Sequence, residues 1–270
     1  MIKKALIFIL LVTTTVVLVL SIRENIYNQP KRIWQSLINK QSVPFMKEGN
    51  VEDLVFNANT TLIFVVKYMW IVSVGEVKIT TSMINSSGGN EVYGLFITAQ
   101  TQGLAREFYN GRAEIVSHIA KNTLLPLVYK ENLYVSDSLD KTKTIVFDHK
   151  KLIAECEGKK YKIAQNTFDP LSSIYYLRVK ELRMNEEFVI NLISKEEIYE
   201  IVGKMIKKED DVNLIEAVLQ RKDKSSSHGG KFYLWITDDA MRLPLLIKAW
   251  TKAGLITARL VGVSTDNSNQ

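Results

Sequence analysis

The residues able to do chemistry are few and scattered. His118, His149 and His228 stand alone, with neither an HExxH pattern nor paired metal-ligand spacing. Asp148 and His149 adjoin, but neighbours on a strand point to opposite faces. Ser172, His149 and Asp239 offer the residue types of a hydrolytic triad, whose members need only meet in space. No G-x-S-x-G elbow surrounds Ser172, and the chain has neither a P-loop nor a GxGxxG run. Asp238 and Asp239 form a carboxylate pair close to Trp235 and Arg242, and such pairs can do acid–base work or hold a cation. Here the pair lies between two strand-like runs, where acidic residues build turns; an Asp–Arg ion pair closing that turn is the favoured reading. The single cysteine, Cys156, permits no intrachain disulfide and reads as an inert, partly buried thiol. No catalytic residue, metal or cofactor is expected.

The elements that would hold these residues follow from composition. Hydrophobic residues make up 46% of the 270 and charged residues 24%, enough for one large β domain or two small ones. The formal charge of +6 is spread along the chain. It forms no basic stripe interleaved with aromatics, so nucleic acid is not an expected partner. Lys3 and Lys4 precede an apolar run from Ala5 to Leu20, about 24 Å long as a helix. Basic residues on the inner side orient the remainder outward. Residues 1–22 are therefore expected to be a signal-anchor or signal peptide, the anchor being preferred because Val19-Leu20-Ser21-Ile22-Arg23 is a poor cleavage site. The chain is then exported, periplasmic or anchored on the outer side of the cytoplasmic membrane. Residues 23–50 read as a linker whose Ile33, Trp34, Leu37 and Ile38 share a helical face beside Lys31 and Arg32. That helix fits either a membrane interface or a seat on the β domain.

From about Asp53 the runs are rich in Val, Ile, Thr, Tyr and Phe. Thr60–Trp70 and Ile71–Met83 read as two long strands or one bent one, with a bulge at Gly75. Ser86–Asn90 is a turn, followed by strands at Glu91–Gln100, Glu114–Ala120, Leu127–Ser136 and Thr144–Asp148. Asn213–Gln220, Phe232–Thr237, Leu245–Thr251 and Thr257–Val263 close a meander, with a Ser/Gly-rich loop at Lys222–Gly230. Asp169 to Arg178 carries helix start signals: Asp169 can cap the free amides and Pro170 suits the first helical position. Leu171, Ile174, Tyr175 and Arg178 then share a face. Glu196–Lys208 fits a helix by spacing and a strand by β-branched content.

Four phrases stand in order: Val146-Phe147-Asp148-His149; Asp169-Pro170-Leu171-Ser172-Ser173-Ile174-Tyr175-Tyr176-Leu177-Arg178; Leu234-Trp235-Ile236-Thr237-Asp238-Asp239-Ala240-Met241-Arg242-Leu243-Pro244; and a late Gly254 with Ala258-Arg259-Leu260. From about Val51 to Val263 the chain resembles the bacterial family called domain of unknown function 3108, whose members are mostly exported. The resemblance implies one β-rich domain over residues 51–263, followed by a tail at 264–270, and it tips Glu196–Lys208 toward strand. Family members often have a Gly-containing turn next, where this chain has Glu209-Asp210-Asp211. The resemblance also suggests kinship with the half-open barrels of bacterial lipoprotein carriers, in which a curved antiparallel sheet holds acyl chains in its concave face. The expected architecture is a curved sheet or half-open barrel with one or two short helices. The expected function is non-catalytic binding of a lipid-like or apolar ligand, or of an envelope partner. A ligand-free scaffold and an envelope hydrolase using Asp239 or His149 are the rivals. Asp169, Ser172, Tyr175, Tyr176, Arg178, Trp235, Asp239 and Arg242 are the candidate ligand-binding or structural residues. The structural alternative makes them a cap, ion pairs and a core aromatic.

Overall fold

In a computed structural model the chain forms one antiparallel meander that curls round a helix. The structure describes residues 28–39, 55–56, 59–85, 91–194, 197–209, 211–222, 230–251 and 254–265. The N-terminal apolar run, the turn at 86–90 and His228 lie outside them.

Along the chain come α1 (Asn28–Asn39), β1 (Thr60–Tyr68), β2 (Val72–Asn85), β3 (Glu91–Thr101), α2 (Leu104–Phe108), β4 (Gly111–Ala120), β5 (Pro126–Val135) and β6 (Ser138–Asp148). After these come β7 (Ile153–Cys156), β8 (Lys159–Lys162), β9 (Thr167–Phe168), α3 (Pro170–Val179), β10 (Glu187–Ser194), β11 (Glu197–Glu209) and β12 (Val212–Arg221). The chain closes with β13 (Lys231–Thr237), β14 (Pro244–Thr251) and β15 (Gly254–Thr265). All fifteen strands share one sheet in the order β8-β7-β6-β5-β4-β3-β2-β1-β15-β14-β13-β12-β11-β10-β9. The first and last strands thus pair at its centre, and the short strands β8 and β9 form its two edges. β9 lies parallel to β10; the other pairs are antiparallel.

The sheet is curved because α3 packs against β4 and against β9 and β10, which lie far apart in the strand order. Both can reach one helix only if the sheet curls round it. Register shifts help: a residue is inserted between β1 and β2 beside Gly75, and others occur at β1/β15, β4/β5, β5/β6, β11/β12 and β13/β14. Bulges raise local twist and bend the sheet. Gly203 of β11 is needed for close approach, since a Cβ there would lie 2.7 Å from Phe188 and from the Cβ of Ala217.

Glu197–Glu209 is a strand, and α3 begins where Asp169 and Pro170 place it. Among the described residues the body carries two short helices, α2 and α3, as expected, and α1 is the helix expected in the 23–50 linker. Four strands, β7 to β10, occupy a stretch where the sequence reading places none. β7, β8 and β9 are too short for their alternation to be legible; β10 does alternate, with Phe188, Ile190 and Leu192 buried. The open question about the Lys31–Ile38 helix resolves toward packing on the domain, because Ile33, Trp34 and Leu37 are buried and α1 contacts β14 and β15. The β15 residues beside this helix, Thr257 and Arg259, alternate with Ile256 and Ala258, which face the interior, so the helix lies on the convex side.

Candidate functional site

Alternation along each strand sorts side chains to one face of the sheet or the other. On the concave face, Phe64, Val77, Ile97, Leu192, Leu234 and Ile256 line a cavity of about 210 Å³, with Pro170, Ile174 and Tyr175 of α3 on its wall. The strand positions that line it lie mostly toward the end of the sheet holding the β1–β2 turn. That rim is apolar on its outside too: Ile71 is 81% exposed and Phe108 of α2 is 88% exposed.

The interior has a polar floor. Asp169 is fully buried, and its Oδ1 accepts the N–H groups of Leu171 (2.8 Å) and Ser172 (2.9 Å). Its Oδ2 accepts the Ser117 hydroxyl from β4 at 2.6 Å. The Ser172 hydroxyl in turn accepts the Asp169 N–H at 3.0 Å, completing a capping box. Burial holds the Asp169 carboxyl above its ordinary range, although these hydrogen bonds pull it down. Nearby, the Tyr129 hydroxyl donates to Glu131 at 3.1 Å, and Glu131 lies opposite Lys143 across β5 and β6, both nearly buried. Burial, then the charges of Glu131 and Asp169, raise the Tyr129 hydroxyl well above its usual range.

The far end of α3 is held by a reciprocal clasp. Buried Arg178 donates from Nε to the Arg242 carbonyl (3.0 Å) and from Nη2 to the Met241 carbonyl (2.9 Å). Its guanidinium also lies 4.8 Å from the Tyr175 ring centre. Arg242, at φ 43°, donates back to the carbonyls of Arg178 and Lys180, which are orphaned at the helix C-terminus. Asp239 does not pair with the Arg242 guanidinium, as the sequence reading has it. Its Oδ1 accepts the Arg242 N–H (2.9 Å) and the Thr237 hydroxyl (2.6 Å), bracing the turn while the guanidinium reaches the helix. Arg178 likewise spends its donors on backbone carbonyls rather than on an ion pair.

Seven of the eight candidate residues therefore gather on or beside α3: Asp169 and Ser172 at its start, Tyr175, Tyr176 and Arg178 along it, Asp239 and Arg242 beyond its end. Tyr175 reaches β2, its hydroxyl 3.2 Å from that of Thr81. Tyr176 turns away and stacks on Phe168 at 4.5 Å. Trp235 is not with them. It points to the convex face, 5.1 Å from Lys248. The imagined triad is not assembled either, because the Ser172 hydroxyl serves the helix cap, Asp239 serves its turn, and the His149 ring lies 2.8 Å from the Pro126 carbonyl. Among the described residues no group of three or more metal-ligating side chains converges.

Sequence reasoning missed Ser117, Tyr129, Glu131, Lys143 and Lys248. Polar residues in rows that otherwise face inward, such as Ser117 after Ala113 and Ile115, are the signal for the first four. Lys248 in the apolar run Leu245-Leu246-Ile247-Lys248-Ala249-Trp250 is the signal for the last.

The family model described as "Protein of unknown function (DUF3108)" matches residues 63–261. The chain belongs to that family. No curated protein matches it. Among solved structures it is similar to a β-barrel-like protein of the domain of unknown function DUF1849 from Brucella abortus, at 7% identity and a TM-score of 0.53. That alignment covers 77% of this chain and 98% of the other. The hypothetical protein CT021 from Chlamydia trachomatis aligns over 80% of this chain and 93% of its own, at 8% identity and a TM-score of 0.30. The first likeness establishes the fold: a family of unknown function with a barrel-like sheet.

Proposed function

We propose that this protein binds a lipid-like or apolar ligand in the concave face of its sheet, without catalysis, on the outer side of the cytoplasmic membrane. One observation carries the reading: the apolar cavity beside α3, lined mostly by strand positions toward the end of the sheet where Ile71 and Phe108 are exposed. Concave sites lined by hydrophobic side chains with a few fixed polar groups are the ordinary form of ligand pockets. At about 210 Å³ the space is smaller than the roughly 300–1,000 Å³ of most such pockets. It suits one slim chain rather than a fused ring system. Export rests on the basic start and apolar run of residues 3–20, and the N-terminal segment is the proposed membrane attachment. The non-catalytic reading is supported by how fully the interior polar groups are used: Asp169, Ser172, Arg178 and Asp239 are each engaged by hydrogen bonds of the fold.

A chain-length series tests this. Each buried methylene contributes about 0.8 kcal/mol, so two more carbons should tighten binding about tenfold until the cavity is full. Saturated fatty acids of increasing length, displacing a fluorescent fatty acid from the delipidated protein, should show that rise and then a plateau. A249F, which fills the cavity wall, should abolish it. Absence of binding, or affinity indifferent to length, would leave the scaffold reading in its place.

A further inference from the structure

The convex face carries a second cavity, of about 330 Å³, between α1 and the central strands. Its walls come from separate elements: Arg32 and Leu37 from α1, Lys67 from β1, Trp70 from the β1–β2 turn, Thr257 and Arg259 from β15. The strand register explains the concentration of charge. Thr257 lies opposite Lys67 on β1 and opposite Lys248 on β14, while Arg259 lies one step along the same face, opposite Val65 and Leu246. Three cations on three adjacent strands thus surround one threonine, and Arg32 overhangs them from the helix.

Cations this close repel one another unless an anion sits among them. Among the described residues no carboxylate lines the cavity, and Lys67, Arg259 and Arg32 form no ion pair. Glu76, on β2 opposite Val65, pairs instead with Lys78 at 3.5 Å. Lys248 is the most telling of the set. It is 0% exposed, its Nζ lacks a hydrogen-bond partner among the described residues, and it lies 4.3 Å from the ring of Trp70, itself a wall of the cavity. A buried amine with three donors and only indole faces to meet them is an incomplete arrangement.

We propose that this convex cavity is an anion site that takes a phosphate group bearing an apolar substituent. Arg32, Lys67 and Arg259 contact the phosphate, guanidinium forks matching its oxygens, and the Thr257 hydroxyl lies at the centre of the cluster. Trp70, Leu37 and Leu246 supply the apolar surface for the substituent. Lys248, behind Trp70, adds a fixed positive charge from within the fold. The site shares no lining residue with the interior cavity, so the two readings stand or fall separately.

Tryptophan fluorescence reports on the cavity directly, since Trp70 lines it. The full-length chain is titrated with inorganic phosphate and with phenyl phosphate, and in parallel mixed with vesicles of phosphatidylcholine with and without phosphatidylglycerol. Phenyl phosphate should bind at least tenfold more tightly than inorganic phosphate, and the K67Q/R259Q variant should lose at least tenfold for both. The substituted residues are exposed or half-buried, so the variant keeps its fold, and its fatty-acid binding in the interior stays unchanged. A phosphatidylglycerol-dependent excess of vesicle binding, lost in K67Q/R259Q, identifies a lipid headgroup as the source. Saturable phenyl phosphate binding without that excess identifies a soluble phosphate ester. No saturable response to any of these probes, or an equal response from K67Q/R259Q, overturns the proposal.

Discussion

Two regions of this molecule bury charge, and they do so in opposite ways. Around α3, Asp169 and Arg178 are enclosed but met by donors and acceptors on every side: two amides and a hydroxyl for the first, two carbonyls and an aromatic face for the second. On the convex side, Lys248 is enclosed with two indoles, and among the described residues no acceptor meets its protons. The first arrangement builds a fold. It staples one helix to β4 at one end and to the β13–β14 turn at the other. The second stabilises little, and invites the question of what it is for. The sharpest way to break this contrast is to remove Arg178. R178A would strand the carbonyls of Met241 and Arg242 and open a hole beside Tyr175. We expect a loss of about 3–5 kcal/mol in urea unfolding, the range for breaking a buried charged network. R178K, keeping the charge without the fork, should fall between. A loss below about 1 kcal/mol in R178A would mean that the clasp does not hold α3.

Asp169 comes next in size. D169A removes the cap and leaves the Ser117 hydroxyl without its acceptor, for an expected loss of about 2–3 kcal/mol. D169N is the informative partner. Asparagine caps helices as well as aspartate does, and its amide can still meet Ser117, so D169N should lose less than about 1 kcal/mol. The linkage sign supports this. Burial raises the folded-state Asp169 above its unfolded value, so the folded chain holds the proton longer and this carboxyl's contribution falls as pH rises through the interval between the two. The gap between wild type and D169N should accordingly shift in favour of D169N on going from acid to neutral pH. Thermal melts at several pH values read it. A D169N variant as damaged as D169A would assign the carboxylate a role beyond the cap.

Much of the fold was legible in the chain, and the limits are physical. Long strands announce themselves by alternation, and Asp169-Pro170 announces a helix start because capping is a local contact between residues two or three apart. The eight motif residues were legible as a set, and seven do converge on α3. Their partners were not. Ser117 meets Asp169 across 52 positions and Arg178 meets Met241 across 63, and no local pattern encodes such pairings. The Asp239–Arg242 turn shows the same limit on a smaller scale. Opposite charges three apart suggest an ion pair, yet the carboxylate takes the backbone amide and frees the guanidinium for the helix. Trp235 failed to join the others for a simpler reason. Leu234 lines the interior, and strand alternation sends Trp235 the other way.

The smallest expected effect tests the convex side of the comparison. Burial lowers the Lys248 amine to about 8 from its ordinary 10.5, so the charged form is disfavoured in the fold. Two indole faces offset part of that cost, cation–π contacts contributing about 0.5–2 kcal/mol. Replacing Lys248 by methionine should thus be neutral or stabilising by about 1 kcal/mol at neutral pH, in contrast to the losses at Asp169 and Arg178. The sign with pH is fixed by linkage. Between about 8 and 10.5 the unfolded chain binds a proton that the folded chain has released, so the wild type gains stability as pH rises through this window. K248M has no such group, and its advantage should shrink across the same interval. Tyr233, which pairs with Lys248 on β13, is held above the ordinary tyrosine range chiefly by burial. Urea unfolding of both proteins at several pH values between 7 and 10 measures the convergence. Repeating it with phenyl phosphate sharpens the contrast further. An anion lodged beside the cluster should stabilise the wild type more than K248M, turning the methionine variant's advantage at neutral pH into a deficit. If K248M instead loses several kcal/mol in plain buffer, the buried amine belongs with Asp169 and Arg178 as part of the frame.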